Sequence, residues 1–312
     1  MKRRILLGAI ISLPLVIAAP SAMAQVNNSQ TCQADLDDWG DAPECIPAYP
    51  SGVIGHFPTC ATFCGAGDQT FPPGCVPPGS PPGPTGFVHH VTPVGALHFW
   101  LGCYLDATGL SGIDSELDGK VNTPATGFSS CLTGMPTDCV ESAFGGAMLF
   151  DQDECYTDAN DHGVAGPVTF PSCSNFSLPY TAASCVPVAA YLNICVDWNQ
   201  DGDWNDVVTC PGPGGATVCA PEWAVVNAPI TLAIGCNAMV SPLFATGPNV
   251  GPTWFRISLT ALPVTDDYPW DGSALFNGGV YLSGETEDYP AMIEHPVPDL
   301  PKTWGGVKAS YR

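Results

Sequence analysis

Residues 189–196 read AAYLNICV, and residues 197–206 follow directly as DWNQDGDWND. The first segment is apolar apart from Asn193 and suits an extended chain. The second carries side-chain oxygens at alternate positions, on Asp197, Asn199, Asp201 and Asp203, and again on Asp206. Gly202 lets the backbone turn sharply among them. A strand that ends in a tight, oxygen-rich loop predicts a sheet protein with its chemistry at a strand end. Similar short runs recur at 97–101, 224–234, 253–262 and 280–282, each bounded by turn residues. No apolar repeat at helical spacing competes with them. The chain has 34 glycines and 33 prolines in 312 residues, which interrupt any long helix. The fold expected is all-β, an antiparallel β-sandwich or jelly roll with long disulfide-pinned loops.

The spacing D-x-N-x-D-G matches the first half of an EF-hand loop. The match then stops. Val208 stands where a bidentate glutamate should close the loop, and no helix pattern flanks it. This is not an EF-hand, yet its donors are all oxygen and suit a hard cation such as calcium, which takes about six to eight oxygens. Asp197, Asn199, Asp201, Asp203 and Asp206 are the candidate ligands, and remote donors are needed to complete the set. The segment 283–289, SGETEDY, is the expected source. In a strand, Glu285 and Glu287 point to one face. Two neighbouring carboxylates repel unless they are exposed or bridged by a cation. Acidic turns between strands are the plainer reading of both segments. Two other clusters offer either a second metal site or solvated loops: Asp114, Glu116 and Asp118, and Asp151, Asp153 and Asp161.

Further out from the loop, Lys2, Arg3 and Arg4 precede an apolar run over 5–19, and Ala22-Met23-Ala24 follows. That order predicts a cleaved export signal over 1–24 rather than a membrane anchor. Beyond it, five basic residues face thirty acidic ones. Such a surface repels nucleic acid and anionic lipid, which sets aside a DNA- or RNA-binding reading. No other segment is long and apolar enough to span a bilayer, so the exported chain is not expected to be an integral membrane protein. High apolar content and low total charge argue for a packed core rather than disorder.

Fifteen cysteines in an exported chain predict disulfides. The number is odd, so at least one thiol stays outside the intrachain pairing. A zinc cluster is the rival reading, but the close pair Cys60 and Cys64 has no second close pair beside it. Residues 71–86, FPPGCVPPGSPPGPTG, predict a stiff surface loop pinned by Cys75, or else a ligand for a proline-recognising domain. Long cysteine-bearing loops are expected over 121–145 and 165–186. From 295 to 312 the chain is proline-spaced and carries Lys302, Lys308 and Arg312. It reads as a frayed tail or as a short sorting or docking tag.

Five motifs in order resemble the GEVED domain of bacterial secreted and cell-surface proteins. They are DWGDAP at 38–43 with Tyr49 after it, IDSELDG at 113–119, NDHGV at 160–164, DWNQDGDW at 197–204 and GETED at 284–288 followed by Tyr289. The resemblance spans 25–294, with its core at about 187–294. His162 replaces an acidic residue of the family pattern, and the cysteine load is unusual for it. The resemblance implies an extracellular, non-catalytic β-sandwich of structural or adhesion type. Its partners would be a surface protein, a glycan or a second copy of the chain.

Enzymatic motifs are absent from the sequence. There is no G-x-S-x-G elbow, no H-E-x-x-H zinc motif and no phosphate loop, since no lysine follows the glycines at 212–215. His89 and His90 are expected on opposite faces of a strand, so a metal shared with His98 is awkward. The alternative to a structural role is carbohydrate binding. Trp198 and Trp204, read as exposed, would stack on sugars, and paired carboxylates would serve a glycosidase.

Overall fold

The computed structural model describes residues 36–40, 42–58, 72–73, 75, 88–93, 96–103, 163–165, 167–264, 272 and 280–295. The expected export signal, the clusters at 113–119 and 151–161, the segment 121–145 expected as a loop and the segment beyond 295 lie outside them. So do most residues of the proline-rich stretch.

The regular structure of the described residues is all β-strand, apart from one 3-10 turn at Pro213–Gly215, with no α-helix among them. Near the start lie β1 (Leu36–Trp39), β2 (Glu44–Pro47), β3 (Ile54–His56), β4 (His89–Thr92) and β5 (Phe99–Leu101). Then come β6 (Val168–Pro171), β7 (Asn175–Phe176), β8 (Pro179–Ser184) and β9 (Val188–Val196). The middle holds β10 (Val207–Pro211), β11 (Thr217–Pro221), β12 (Trp223–Leu232), β13 (Gly235–Val240) and β14 (Phe244–Ala245). The last are β15 (Gly251–Thr260), β16 (Tyr281–Leu282) and β17 (Gly284–Glu294).

Five strands in the order β12-β9-β15-β17-β6 make the central sheet. Its inner pairs are antiparallel, whereas β6 joins β17 in parallel. Side chains alternate across it. Leu192, Ile194, Phe255, Ile257, Leu259, Tyr289 and Ile293 face a smaller sheet, β13-β8-β5, and pack with Phe99, Leu101, Tyr180 and Ala182. That is the expected sandwich. The opposite face, with Cys195 and Trp254, is covered by a third layer. The sheet β1-β4-β16, the β2–β3 hairpin and Trp204, Trp223, Phe57 and Tyr49 form a second core there. Burial on both sides explains why β15 and β17 carry long uninterrupted buried runs rather than an alternating pattern.

The polar residues of β15 and β17 meet inside this second interface. The Arg256 guanidinium binds Asp288 through Nε at 2.7 Å and Nη2 at 2.5 Å, and donates from Nη1 to the Pro58 carbonyl at 2.7 Å. Both side chains are fully buried. Asp288 also accepts the Ala42 amide at 2.8 Å, and Asp38 accepts the Thr286 amide at 2.9 Å. DWGDAP therefore docks on GETED. Gly40 is required there, because a Cβ would lie 2.3 Å from Arg256 Nη2. His90 bonds Thr286 Oγ1 at 2.8 Å, and burial pushes its pKa down to about 3.

Three disulfides have both cysteines among the described residues: Cys75–Cys219, Cys103–Cys236 and Cys173–Cys210. Cys185 is disulfide-bonded as well. Among the described residues, Cys195 is buried as a thiol. Such bridges belong to an oxidising, extracellular type of environment. No helix among the described residues is long and apolar enough to cross a membrane. The segment 165–186 departs from expectation. It is not one long loop but holds β6, β7 and β8, whose short apolar stretches alternate with turn residues. Two parallel pairs, β17–β6 and β16–β4, also depart from a purely antiparallel sandwich.

Candidate metal centre

Strand β9 ends at Val196, and residues 197–206 fold back before β10 starts at Val207. Asp197 organises the turn. Its Oδ1 accepts the amides of Gln200 at 2.5 Å and Asp201 at 3.2 Å. Its Oδ2 accepts the Gly202 amide at 2.8 Å and the Tyr49 hydroxyl at 2.6 Å. Gln200 and Gly202 both adopt positive φ, at 64° and 97°. Gly202 also lies so close to the β2–β3 hairpin that a Cβ would meet the Ile54 carbonyl at 2.4 Å. Asn199 donates to Asp201 at 2.7 Å and also to Asp206.

The remote carboxylate that completes the cluster is Glu222, which the sequence reading did not single out. Its Oε1 accepts the Trp198 amide at 2.8 Å, and its Oε2 accepts the Asp206 amide at 3.0 Å. The signal for it was in the chain. The PGPGG turn at 211–215 closes the β10–β11 hairpin, in which Val207 pairs with Pro221. Residues equally far from Gly214 face each other, so Glu222 falls opposite Asp206.

Two groups of carboxylates have ligand oxygens all within 4.8 Å of one another: Asp197, Asp201 and Glu222, and Asp201, Asp203 and Asp206. Asp197, Asp206 and Glu222 are fully buried, and Asp203 is 2% exposed. Arg256 is the one lysine or arginine among the described residues, and it is bound to Asp288. Asp203 Oδ2 and Asp201 Oδ1 are buried without a hydrogen-bond partner. A buried carboxylate oxygen in that state is costly unless a cation meets it.

Burial, then the Asp201 charge, pushes Asp197 up to about 7 and Asp203 up to about 9. Burial and the surrounding aspartates likewise raise Glu222, and burial raises Asp201. Each folded pKa lies above the unfolded value, so the metal-free fold binds protons that the unfolded chain has released. That contribution is complete below the ordinary carboxylate range and is lost as pH rises through the folded values. Denaturant titrations in chelator are expected to show stability falling from about pH 5 to about pH 9. A flat or rising profile would show that these carboxylates ionise without penalty.

Glu285 and Glu287 share a face of β17, but neither belongs to either carboxylate group. Glu285 accepts the Leu101 amide at 2.5 Å. Glu287 accepts the Gly163 amide at 3.3 Å and the Tyr289 hydroxyl. Their distance from the loop follows from register. Asp197 is level with Trp254, which pairs with Pro290, while Glu287 and Glu285 lie three and five residues further along β17. At about 3.3 Å per residue they sit roughly 10 and 17 Å down the strand. The cross-brace between the 197–206 loop and the 284–288 strand is corrected accordingly: the remote carboxylate at the loop is Glu222. Asp114, Glu116, Asp118, Asp151, Asp153 and Asp161 lie outside the described residues. Gly163, from NDHGV, does reach GETED through Glu287.

The two loop tryptophans are not exposed. Trp198 and Trp204 are both fully buried. Trp198 donates to the Pro221 carbonyl at 2.9 Å and packs edge-on to Phe170. Trp204 lies 4.4 Å from Phe57, with the Arg256 guanidinium 4.6 Å from its ring centroid. They steady the loop from both faces of the sheet and present no platform for a sugar.

No family model matches the chain, and no curated protein matches it. Among solved structures, a family 123 glycoside hydrolase from Clostridium perfringens aligns with 43% of this chain and 23% of its own, at 14% identity and a TM-score of 0.23. WR4, an MSP family member of C. elegans, aligns with 41% of this chain and 90% of its own, at 9% identity and a TM-score of 0.18. Likenesses this slight carry no functional argument.

Proposed function

We propose that this protein is an extracellular, non-catalytic β-sandwich of structural or adhesion type, akin to GEVED-domain proteins, whose 197–206 loop binds calcium. The observation that carries the cation reading is the pair of buried, unpartnered oxygens, Asp203 Oδ2 and Asp201 Oδ1. The donor set is carboxylate and amide oxygen, without thiolate or imidazole in either group. Such a set selects hard cations, and an irregular loop crowded with carboxylates suits calcium better than the octahedral, water-rich shell of magnesium. Asp197, Asn199, Asp201, Asp203, Asp206 and Glu222 would hold the ion. Its charge would offset the repulsion that raises the carboxylate pKa values. The fold's partner would be a surface protein, a glycan or another copy of the chain. Burial of Trp198 and Trp204 removes the feature that favoured sugar stacking.

Thermal unfolding of the oxidised protein in calcium and in EGTA tests this reading. A rise in melting temperature that grows with the logarithm of calcium concentration above Kd is expected, equivalent to about 2.7 kcal/mol at a hundred times Kd. Magnesium at equal concentration should give a smaller shift. An unchanged melting temperature, together with no heat of binding by calorimetry, would sink the proposal.

A further inference from the structure

We infer that Tyr49 is a positioning residue for the cation site, so that the β2–β3 hairpin and the 197–206 loop are energetically coupled. The inference rests on the calcium reading above. Tyr49 is 4% exposed and lies 148 positions before Asp197 in the chain. Its hydroxyl donates to Asp197 Oδ2 at 2.6 Å, the oxygen that also accepts the Gly202 amide. A carboxylate oxygen held from two sides has one orientation. That orientation fixes Oδ1 against the amides of Gln200 and Asp201 and so sets where the carboxylate of Asp201 points.

The contact is not isolated. The His56 amide donates to the Gly202 carbonyl at 2.6 Å, and the Trp254 indole donates to the Ala48 carbonyl at 3.0 Å. Gly202 meets Ile54 too closely for any side chain. The hairpin thus touches the loop through Tyr49, His56 and Ile54, with no acidic residue of its own in either carboxylate group. It can shape the site without ligating the ion. Coupling of this kind is reciprocal: whatever hairpin docking adds to cation affinity, the cation adds to hairpin docking.

Two measurements test it. Calcium affinity of the oxidised Tyr49→Phe protein should fall about tenfold with stoichiometry unchanged, since the ligands remain. In the unaltered protein, hydrogen exchange at the His56 amide should slow on adding calcium, by more than at amides of β8 and β13 away from the loop. Unaltered affinity in Tyr49→Phe, or equal exchange at His56 with and without calcium, would overturn the coupling alone. Absence of calcium binding by the unaltered protein would overturn the cation reading and this inference with it. Should Tyr49→Phe fail to fold, the exchange measurement decides.

Discussion

Asp203→Asn is expected to raise the melting temperature in EGTA and to abolish most of the rise that calcium produces. The two effects have opposite signs because one carboxylate is responsible for both. Without a cation, burial and Asp201 oppose ionisation of Asp203, so the fold must hold its carboxyl protonated near neutral pH. Asparagine keeps the size and an acceptor for the Asn205 amide, which Asp203 Oδ1 holds at 3.0 Å. It removes the need to hold this carboxyl protonated far above its ordinary range, which is expected to add about 1–3 kcal/mol to the metal-free fold near neutral pH. With calcium present, the same change deletes a charged ligand. The stabilisation of about 2.7 kcal/mol at a hundredfold excess over Kd should then largely vanish. Paired melts of both proteins, with and without calcium, give the result directly. A variant that is less stable in both conditions by the same amount would mean that Asp203 is a structural acceptor and nothing more.

Arg256→Met should be the more damaging change in either condition, at about 3–5 kcal/mol. The guanidinium bridges Asp288, the Pro58 carbonyl and the Trp204 ring from a position with no exposure. Methionine fills much of the volume but leaves Asp288 as a buried carboxylate without its counter-charge. The further change Asp288→Leu should recover part of the loss, because replacing both members of a buried ion pair costs less than replacing one. Urea denaturation of the single and double variants measures both quantities. A single-variant loss below about 1 kcal/mol would place this pair with solvent-screened surface bridges instead.

Much of the central sheet was legible from short apolar runs. Those at 189–196, 224–234 and 253–262 correspond to β9, β12 and β15, and that at 280–282 to β16 of the third layer. The first residues of the fold were harder. In β1 and β4, Asp38, His90 and Thr92 owe their burial to packing on the far side of the sheet, not to their own pattern. Local reading also misplaced Trp198 and Trp204. A tryptophan in an acidic loop looks exposed, but here the loop folds back over two cores. Glu285 and Glu287 were rightly expected on one face, yet sharing a face says nothing about distance along the strand. Glu222 was obscured because its neighbours in sequence are apolar and its partners come from the other arm of a hairpin. The symmetry about Gly214 held that information, and only a strand-pairing argument extracts it.

The docking of DWGDAP on GETED has a consequence for how the protein reaches this state. The Ala42–Asp288 and Asp38–Thr286 bonds join residues 246 and 248 positions apart. Closing loops of that length must precede the contacts that reward it, which slows folding. β17 supplies Tyr289, Ala291 and Ile293 to the sandwich core and the docking site for DWGDAP, so neither side of the central sheet is complete until this last strand arrives. Until then Cys195, which faces that second core, is unshielded among many oxidisable neighbours. Early closure of the layer above it favours the thiol outcome, and a late one favours scrambled bridges.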